Sequence, residues 1–450
     1  MLVIRSFLLA CVVALAAAGG RPAAQQAVVA FERVNVISMS DESVMTDRTV
    51  LITGGVITAT GASDGPAAAG RQVTIPDGAT RVDGRGHFLI PALAEMHAHI
   101  PSDPAQAERV LFLYVANGIG TIRSMLGDPA HFRLRDRVMR GEVIGPTMYL
   151  AGPSFNGQTA ATPAAAAARV AEQKKAGYDL LKIHPGVPRT AFDALAAAAD
   201  KAAIRFAGHV PADVGLQRAL DVKFSTIDHL DGYIEALAGS GAPAAQNFGV
   251  NLMSRIDESR IPALAAATRT AGVWNVPTQI LLENWYGPDT PEAMQKWPEM
   301  RHASSAEIAQ WVATKRANID AVSARDRERF IAVRRRLLKA LQDAGAGLLL
   351  GSDAPQVWNV PGFSIHRELA TYVAAGLTPY QALATGTRNV AAHAGTLDRT
   401  GTIEAGKRAD LVLLQGNPLQ AISNSSRIAG VMIRGRWLPR AEIDRRLTPQ

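Results

Sequence analysis

Cysteine is nearly missing from the 450-residue chain: the single one, Cys11, lies inside an apolar stretch at the N-terminus. Past that stretch no thiol remains to form a disulfide or to ligate a metal. Any metal bound there must be held by nitrogen and oxygen. Charge is sparse too, with 19% Asp, Glu, Lys and Arg, and the net +7 is scattered. The densest basic run, Arg334 to Lys339, falls in a helical stretch near Asp326 and Glu328. It reads as a solvated helix face, so no nucleic acid is expected as a partner. No apolar run after Ala18 is long enough to cross a membrane. No Gly-rich phosphate loop follows the first strand of the α/β region, which weighs against an open nucleotide-binding sheet.

What is present starts with a secretory signal. Arg5 supplies a positive end, Ser6 to Ala18 is a short apolar run, and small residues and two glutamines follow. We assign residues 1–24 to the signal peptide, with Ala18 and Ala24 as alternative cleavage points. The expected location is periplasmic or secreted, without stable membrane insertion. Residues 25–88 and 399–450 share a β-rich texture, seen in VVAFERVNVI, RTVLITGGVITAT, ADLVLLQGN and IAGVMIRGRWL. They predict one small β-sandwich domain assembled from both termini. Residues 89–398 alternate strand and helix. Strand candidates are HFLIPALAEMHAH, IGTIRSM, TMYLAG, YDLLKIH, IRFAGHV, FSTIDHL, VWNVPTQ and GLLLGSD. Eight in strict alternation predict an α/β fold of the (β/α)₈ TIM-barrel type. A long helix is expected across Ala306 to Asp343.

Polar residues then fall at telling places. His97 and His99 are two apart on the first strand and so point to one face. Lys182 ends the fourth strand, His209 the fifth, His229 the sixth and Asp353 the eighth. In a closed barrel these C-terminal ends converge on one mouth. Singly, each has a bland reading: a hydrogen-bonded core histidine, a capping aspartate or a snorkelling lysine. Together they need a cation, because burying that many polar groups without partners is costly. The donors suit Zn²⁺, and also Mn²⁺, Co²⁺ or Fe²⁺. A lysine amine beside cations loses its proton readily. It can then add carbon dioxide to give an N6-carboxylated lysine, a carbamate whose two oxygens bridge two metals. The metals would acidify a water, and Asp353 would act as the catalytic base.

These motifs resemble the amidohydrolase superfamily over nearly the whole mature chain. The carrying residues are PALAEMHAH at 91–99, KIH at 182–184, GH at 208–209, DH at 228–229, GSDAP at 351–355 and GTIEAGKRADLVLL at 401–414. Within it the chain is most similar to the imidazolonepropionase-like and prolidase-like branch, which includes Xaa-Pro and Xaa-Arg dipeptidases. The resemblance implies that His97, His99 and Asp353 bind one metal and His209 and His229 a second. Carboxylated Lys182 would bridge them. The deaminase branch carries a glutamate shortly after the fifth-strand histidine. Here Val210, Pro211, Ala212 and Asp213 follow His209, which favours hydrolysis at a carbonyl.

The expected substrate is a small amide or peptide-like molecule. Candidate contacts are Arg123 and Tyr149 near the ends of strands two and three, Asn156 in the loop GPSFNGQTA, and Tyr233 after His229. For Arg123 a structural ion pair is an equal alternative, and for Tyr233 plain packing. Trp285, Tyr286 and Trp297 mark either a substrate-facing lid or a loop folded on its own aromatics. His184 is read as support for Lys182, and His366 as support for the Asp353 loop. Alternative functions are a mononuclear hydrolase of a cyclic amide or lactone, and a catalytically inactive periplasmic binding protein. A homo-oligomer is left open.

Overall fold

The computed structural model describes residues 27–63 and 72–448, so the signal segment lies outside the described residues. The N-terminal strands are β1 (Val28–Val36), β2 (Met45–Thr53), β3 (Val56–Ala62), β4 (Thr80–Asp83) and β5 (Phe88–Pro91). The barrel strands are β6 (Leu93–Ala98), β7 (Ile119–Ser124), β8 (Thr147–Leu150), β9 (Leu180–Ile183), β10 (Arg205–Gly208), β11 (Thr226–Asp228), β12 (Trp274–Val276) and β13 (Gly347–Leu348). The C-terminal strands are β14 (Leu411–Leu414), β15 (Ile428–Ile433) and β16 (Arg436–Pro439).

Strands from both ends form one mixed eight-stranded sheet, ordered β16-β15-β14-β5-β1-β2-β3, with β4 also on β1. The join is β14 on β5, where Leu411 faces Pro91 and Leu414 faces Phe88. Phe31, Val34 and Ile52 share a core there with Leu411, Leu413 and Met432. The terminal module drawn from both ends thus shares one hydrogen-bonded path and one core.

Each of the eight strand motifs in the middle contributes a parallel barrel strand. They form two arcs, β6-β7-β8 and β9-β10-β11-β12-β13. Single parallel bridges join the arcs at both seams, Ala151 to Leu180 and Ala98 to Ala354. Helices pack outside on apolar stripes. The helix Arg189–Lys201 buries Ala191, Phe192, Leu195, Ala196 and Ala199, the spacing of one helical face. Phe192 lies 6.1 Å from Phe206 on β10 and 5.8 Å from Phe224. Thr162 and Pro163 start the helix Pro163–Ala176, and left-handed Gly177 ends it.

The long helix expected across Ala306 to Asp343 is two helices, Ser305–Ala321 and Ala324–Asp343. Ser323 breaks it. Its hydroxyl accepts from the Asp326 amide at 3.1 Å and caps the second helix. The basic run is not a solvated face throughout. Arg334 is 0% exposed, while Arg335 pairs with Glu283, Arg336 with Glu258 and Lys339 with Asp343.

Candidate metal centre

His97, His99, Lys182, His209, His229 and Asp353 meet at the C-terminal ends of the barrel strands. The ring centres of His97 and His229 are 4.6 Å apart, and those of His209 and His229 are 4.4 Å apart. His97 and His99 follow at 5.5 Å. Lys182 Nζ is 3.1 Å from His97 Nε2, and His99 Nε2 is 2.7 Å from Asp353 Oδ1. Donor atoms of His97, His99 and Asp353 all lie within 4.8 Å of one another, as three ligands of one ion would.

Local backbone sets up this convergence. His229 and Asp353 have left-handed φ values of 61° and 65°, and Thr278 beside them has 44°. Non-glycine residues are held there only when their surroundings demand it, and such positions cluster at functional sites. Two glycines permit close approach. A Cβ on Gly351 would stand 2.9 Å from the His97 amide nitrogen and 2.5 Å from Val276. A Cβ on Gly208 would stand 2.5 Å from the Ile183 carbonyl and 2.9 Å from the Lys182 stem.

Three imidazoles have Nδ1 beside a fixed oxygen, His209 and His229 in hydrogen bonds and His97 in a close ion-pair contact. His97 Nδ1 is 2.8 Å from Asp228 Oδ2, His209 Nδ1 is 2.8 Å from Asp231 Oδ2, and His229 Nδ1 is 2.8 Å from Thr278 Oγ1. Anchoring one ring nitrogen fixes the tautomer and leaves the other for a cation. His229 Nε2 is buried and has no hydrogen-bond partner. Leaving such an atom unpaired costs about 1–3 kcal/mol. A bound cation would satisfy it, so the residues present fit a metal. Burial holds His97 and His229 well below the usual histidine range and takes His209 to about 3, keeping the imidazoles neutral and competent to ligate. It also pushes the Lys182 ammonium down.

Below the rings lies support that sequence reasoning missed. Glu95 accepts from the His97 amide at 2.9 Å and the Ser352 amide at 2.8 Å, and from the Ser352 hydroxyl. It ties β6 to the segment carrying Asp353, and burial pushes its carboxyl up to about 8. Period-two spacing carried a signal for both hidden acids. Glu95 shares a strand face with His97, and Asp228 with Thr226. Thr278 and Asp231 lie in loops and carried none.

The four candidate substrate contacts are placed elsewhere or are already engaged. Arg123 is buried and binds Asp228 through Nη2 at 3.2 Å, Thr226 through Nη1 at 2.9 Å and the Met96 carbonyl through Nε at 2.7 Å. It orients Asp228, and through it His97, instead of a substrate. Tyr149 lines a pocket of about 430 Å³ with Ala94, Thr121 and Val390, at the N-terminal end of the barrel. That pocket lies by the starts of β6 and β7, away from the strand ends that carry the metal centre. The Asn156 side-chain oxygen accepts from the Gln158 and Thr159 amides, both at 2.9 Å, and folds its own loop. Tyr233 is buried, its hydroxyl 2.8 Å from Thr268 Oγ1 and 3.1 Å from Asn275 Oδ1.

The His184 ring lies beside that of His209, tilted at 52° with ring centres 5.2 Å apart. His366 does not reach the Asp353 loop. It contacts the Asn117 carbonyl at 3.1 Å and Ser425 Oγ at 3.0 Å. The aromatic segment divides. Tyr286 is buried against Phe330, and Trp297 lies under the Arg367 guanidinium at 3.6 Å. Trp285 packs on Phe248, which stands over His229.

Solved structures share this architecture. A Xaa-Pro dipeptidase with methionine bound in its active site is 19% identical over 92% of this chain and 100% of its own, with a TM-score of 0.66. Bottromycin amidohydrolase is 22% identical over 93% and 88%, with a TM-score of 0.69. Molinate hydrolase is 18% identical over 95% and 97%, with a TM-score of 0.67. No curated protein matches. The model of the amidohydrolase family matches residues 88–438, a span that starts at β5 and runs through every barrel strand into β16. With that match spanning most of the chain and a His, His, Asp cluster at the barrel mouth, the chain belongs to the amidohydrolase family and is a metal-dependent hydrolase acting on C–N bonds.

Proposed function

We propose that the protein is a secreted two-metal amidohydrolase that cleaves a small amide or peptide-like substrate, with Asp353 as general base and Lys182 carboxylated. The observation that carries this reading is the convergence of four imidazoles, one lysine and one carboxylate, with His229 Nε2 buried and unpaired. By the resemblance, His97, His99 and Asp353 hold one ion and His209 and His229 the other. The nitrogen and oxygen donors favour zinc, with manganese, cobalt or iron as alternatives. When bound, such ions supply an acidified water and a polarised scissile carbonyl.

The chain's own residues do the rest. Asp353 takes a proton from the attacking water as the C–O bond forms and then gives it to the leaving nitrogen as the C–N bond breaks. The Nδ1 anchors Asp228, Asp231 and Thr278 keep the rings aimed throughout. The Lys182 nitrogen bonds the carbon of carbon dioxide and releases one proton to solvent. The resulting anion offsets the charge of two cations. Secretion is supported by the charged, apolar and small-residue order of residues 1–24.

Metal content per chain tests the centre. Two ions are expected in the wild type and about one in Lys182→Ala, with partial recovery of activity by short carboxylic acids. Full occupancy in that variant would overturn the bridge. One ion in the wild type would favour the mononuclear alternative, which the three-donor cluster of His97, His99 and Asp353 also supports. Metal-replete protein that hydrolyses nothing across N-acyl amino acids, dipeptides and cyclic amides would remove the hydrolase reading. N-terminal sequencing of protein recovered from the periplasm should start after Ala18 or Ala24; a start at Met1 would refute cleavage.

A further inference from the structure

A ladder of rings leads away from the metal centre. Phe248 lies 5.6 Å from the His229 ring and 6.5 Å from the His209 ring. Trp285 stands 5.6 Å further along, at 67° to Phe248. Both are half-buried, so each keeps some surface open to solvent. Phe248 is held in place at a cost. Its φ and ψ are 63° and 24°, in the left-handed region, where a bulky aromatic is rarely found. The loop that imposes this is braced by Asn251, whose Oδ1 accepts from the Gln246 amide at 2.8 Å and whose Nδ2 donates to the Ala244 carbonyl at 3.0 Å.

The charge around this wall is equally informative. The buried cations among the described residues are Arg123, Lys182, Lys315, Arg334 and Lys407. Arg123 is spent on Asp228, Thr226 and Met96. Arg334 is spent on the His229 and Pro277 carbonyls and on Gln279. Lys315 donates to the Gly287 carbonyl, and Lys407 pairs with Glu404. Lys182 belongs to the metal centre. A substrate carboxylate held against Phe248 on the side away from the metal centre would find none of these side chains free, and an unpaired buried charge is far costlier than a neutral group. The Trp285 indole N–H is itself buried without a partner, a donor that suits a neutral carbonyl oxygen.

We propose that Phe248 and Trp285 form the specificity wall of the active site and select an uncharged amide bearing a planar aromatic group, in preference to a free dipeptide. The inference rests on the hydrolase reading for its chemistry, but the wall is tested by binding alone. Binding to metal-loaded protein would be measured by calorimetry for benzamide, isobutyramide and benzoate. Ring pairing adds about 0.5–1.5 kcal/mol beyond area, so benzamide should bind roughly 2- to 12-fold tighter than isobutyramide. Benzoate, charged on the ring-bearing group, measures binding to the metals themselves.

In Phe248→Ala the advantage of benzamide should vanish while metal per chain stays at the wild-type value. Phe248→Leu keeps apolar bulk without a ring face and should lose most of the advantage too, which guards against a misfolded alanine variant. The proposal is overturned if either folded variant keeps the benzamide preference. It is also overturned if wild-type enzyme cleaves glycyl-phenylalanine with higher kcat/KM than its amide. Aromatic binding without any turnover would instead defeat the hydrolase reading and leave the wall standing.

Discussion

At the residue scale, the proposed mechanism assigns Asp353 two tasks, to ligate and to move a proton. Its Oδ1 already lies 2.7 Å from His99 Nε2 and 3.7 Å from His97 Nε2. An asparagine keeps the shape and one ligating oxygen but cannot take a proton. Asp353→Asn should therefore retain most of the metal and lose turnover by about 10²-fold or more, the usual contribution of a positioned acid–base group. Metal analysis beside kcat checks this, and unchanged kcat would remove Asp353 from the role of base. The residue scale is also where sequence reading was most uneven. His97 and His99 stood out because strand alternation places them on one face. Arg123, Tyr149, Asn156 and Tyr233 looked equally polar and well placed. The polar atoms of Arg123, Asn156 and Tyr233 are consumed by partners such as Asp228, which is 105 residues away from Arg123, while Tyr149 lines a separate pocket.

At the scale of elements, the helix Ala324–Asp343 does more than cover the barrel. Arg334 reaches inward from it to the His229 carbonyl at 2.7 Å, the Pro277 carbonyl at 3.0 Å and Gln279 Oε1 at 3.0 Å. It pins the two turns that carry His229 and Thr278, both with left-handed backbones. Arg334→Leu would strand three buried acceptors. The expected loss is about 2–4 kcal/mol of stability, since each unmet group costs about 1–3 kcal/mol and some relaxation occurs. A metal ion at His229 should also dissociate more readily. Thermal melts with and without metal test the prediction; a variant as stable as wild type in both states would contradict it. Helix existence was legible here from the apolar spacing of Phe330, Val333, Leu337, Leu338 and Leu341. The burial of an arginine on that same helix was not, because its acceptors lie far along the chain, at His229, Pro277 and the start of the helix Gln279–Tyr286.

At the scale of the whole molecule, stability is linked to pH through buried histidines outside the centre. Burial lowers His366 from the ordinary 6.5 to about 4. The unfolded chain then binds a proton that the folded chain refuses, so this contribution to stability is full above about pH 6.5 and fades as pH falls toward 4. His366→Gln should lose less stability than wild type over that window. Midpoints of denaturant unfolding at pH 7 and pH 4.5 would show the difference, and parallel losses would exclude His366 from the effect. Glu368, which shares the helix Phe363–Ala374 with His366, acts in the opposite sense. Its carboxyl is raised to about 8 and accepts from the Gln279 and Ile280 amides. Its contribution is full below about pH 4.5 and is lost as pH rises through 8.

Local pattern along the chain was enough to specify the barrel, the β-rich module drawn from both termini and the six polar residues at the mouth. All of these follow from short-range regularities: strand alternation, helix periodicity, capping residues and the position of a polar side chain at the end of an apolar strand. Which polar groups remained free emerged from packing across the fold. Asp228, Asp231 and Thr278 aim the rings, Arg123 is locked beneath them, and Phe248 is carried over His229 by a loop that no periodicity marks. The reason is that a hydrogen bond is satisfied by geometry across the fold, and its partner's distance along the chain leaves no local trace.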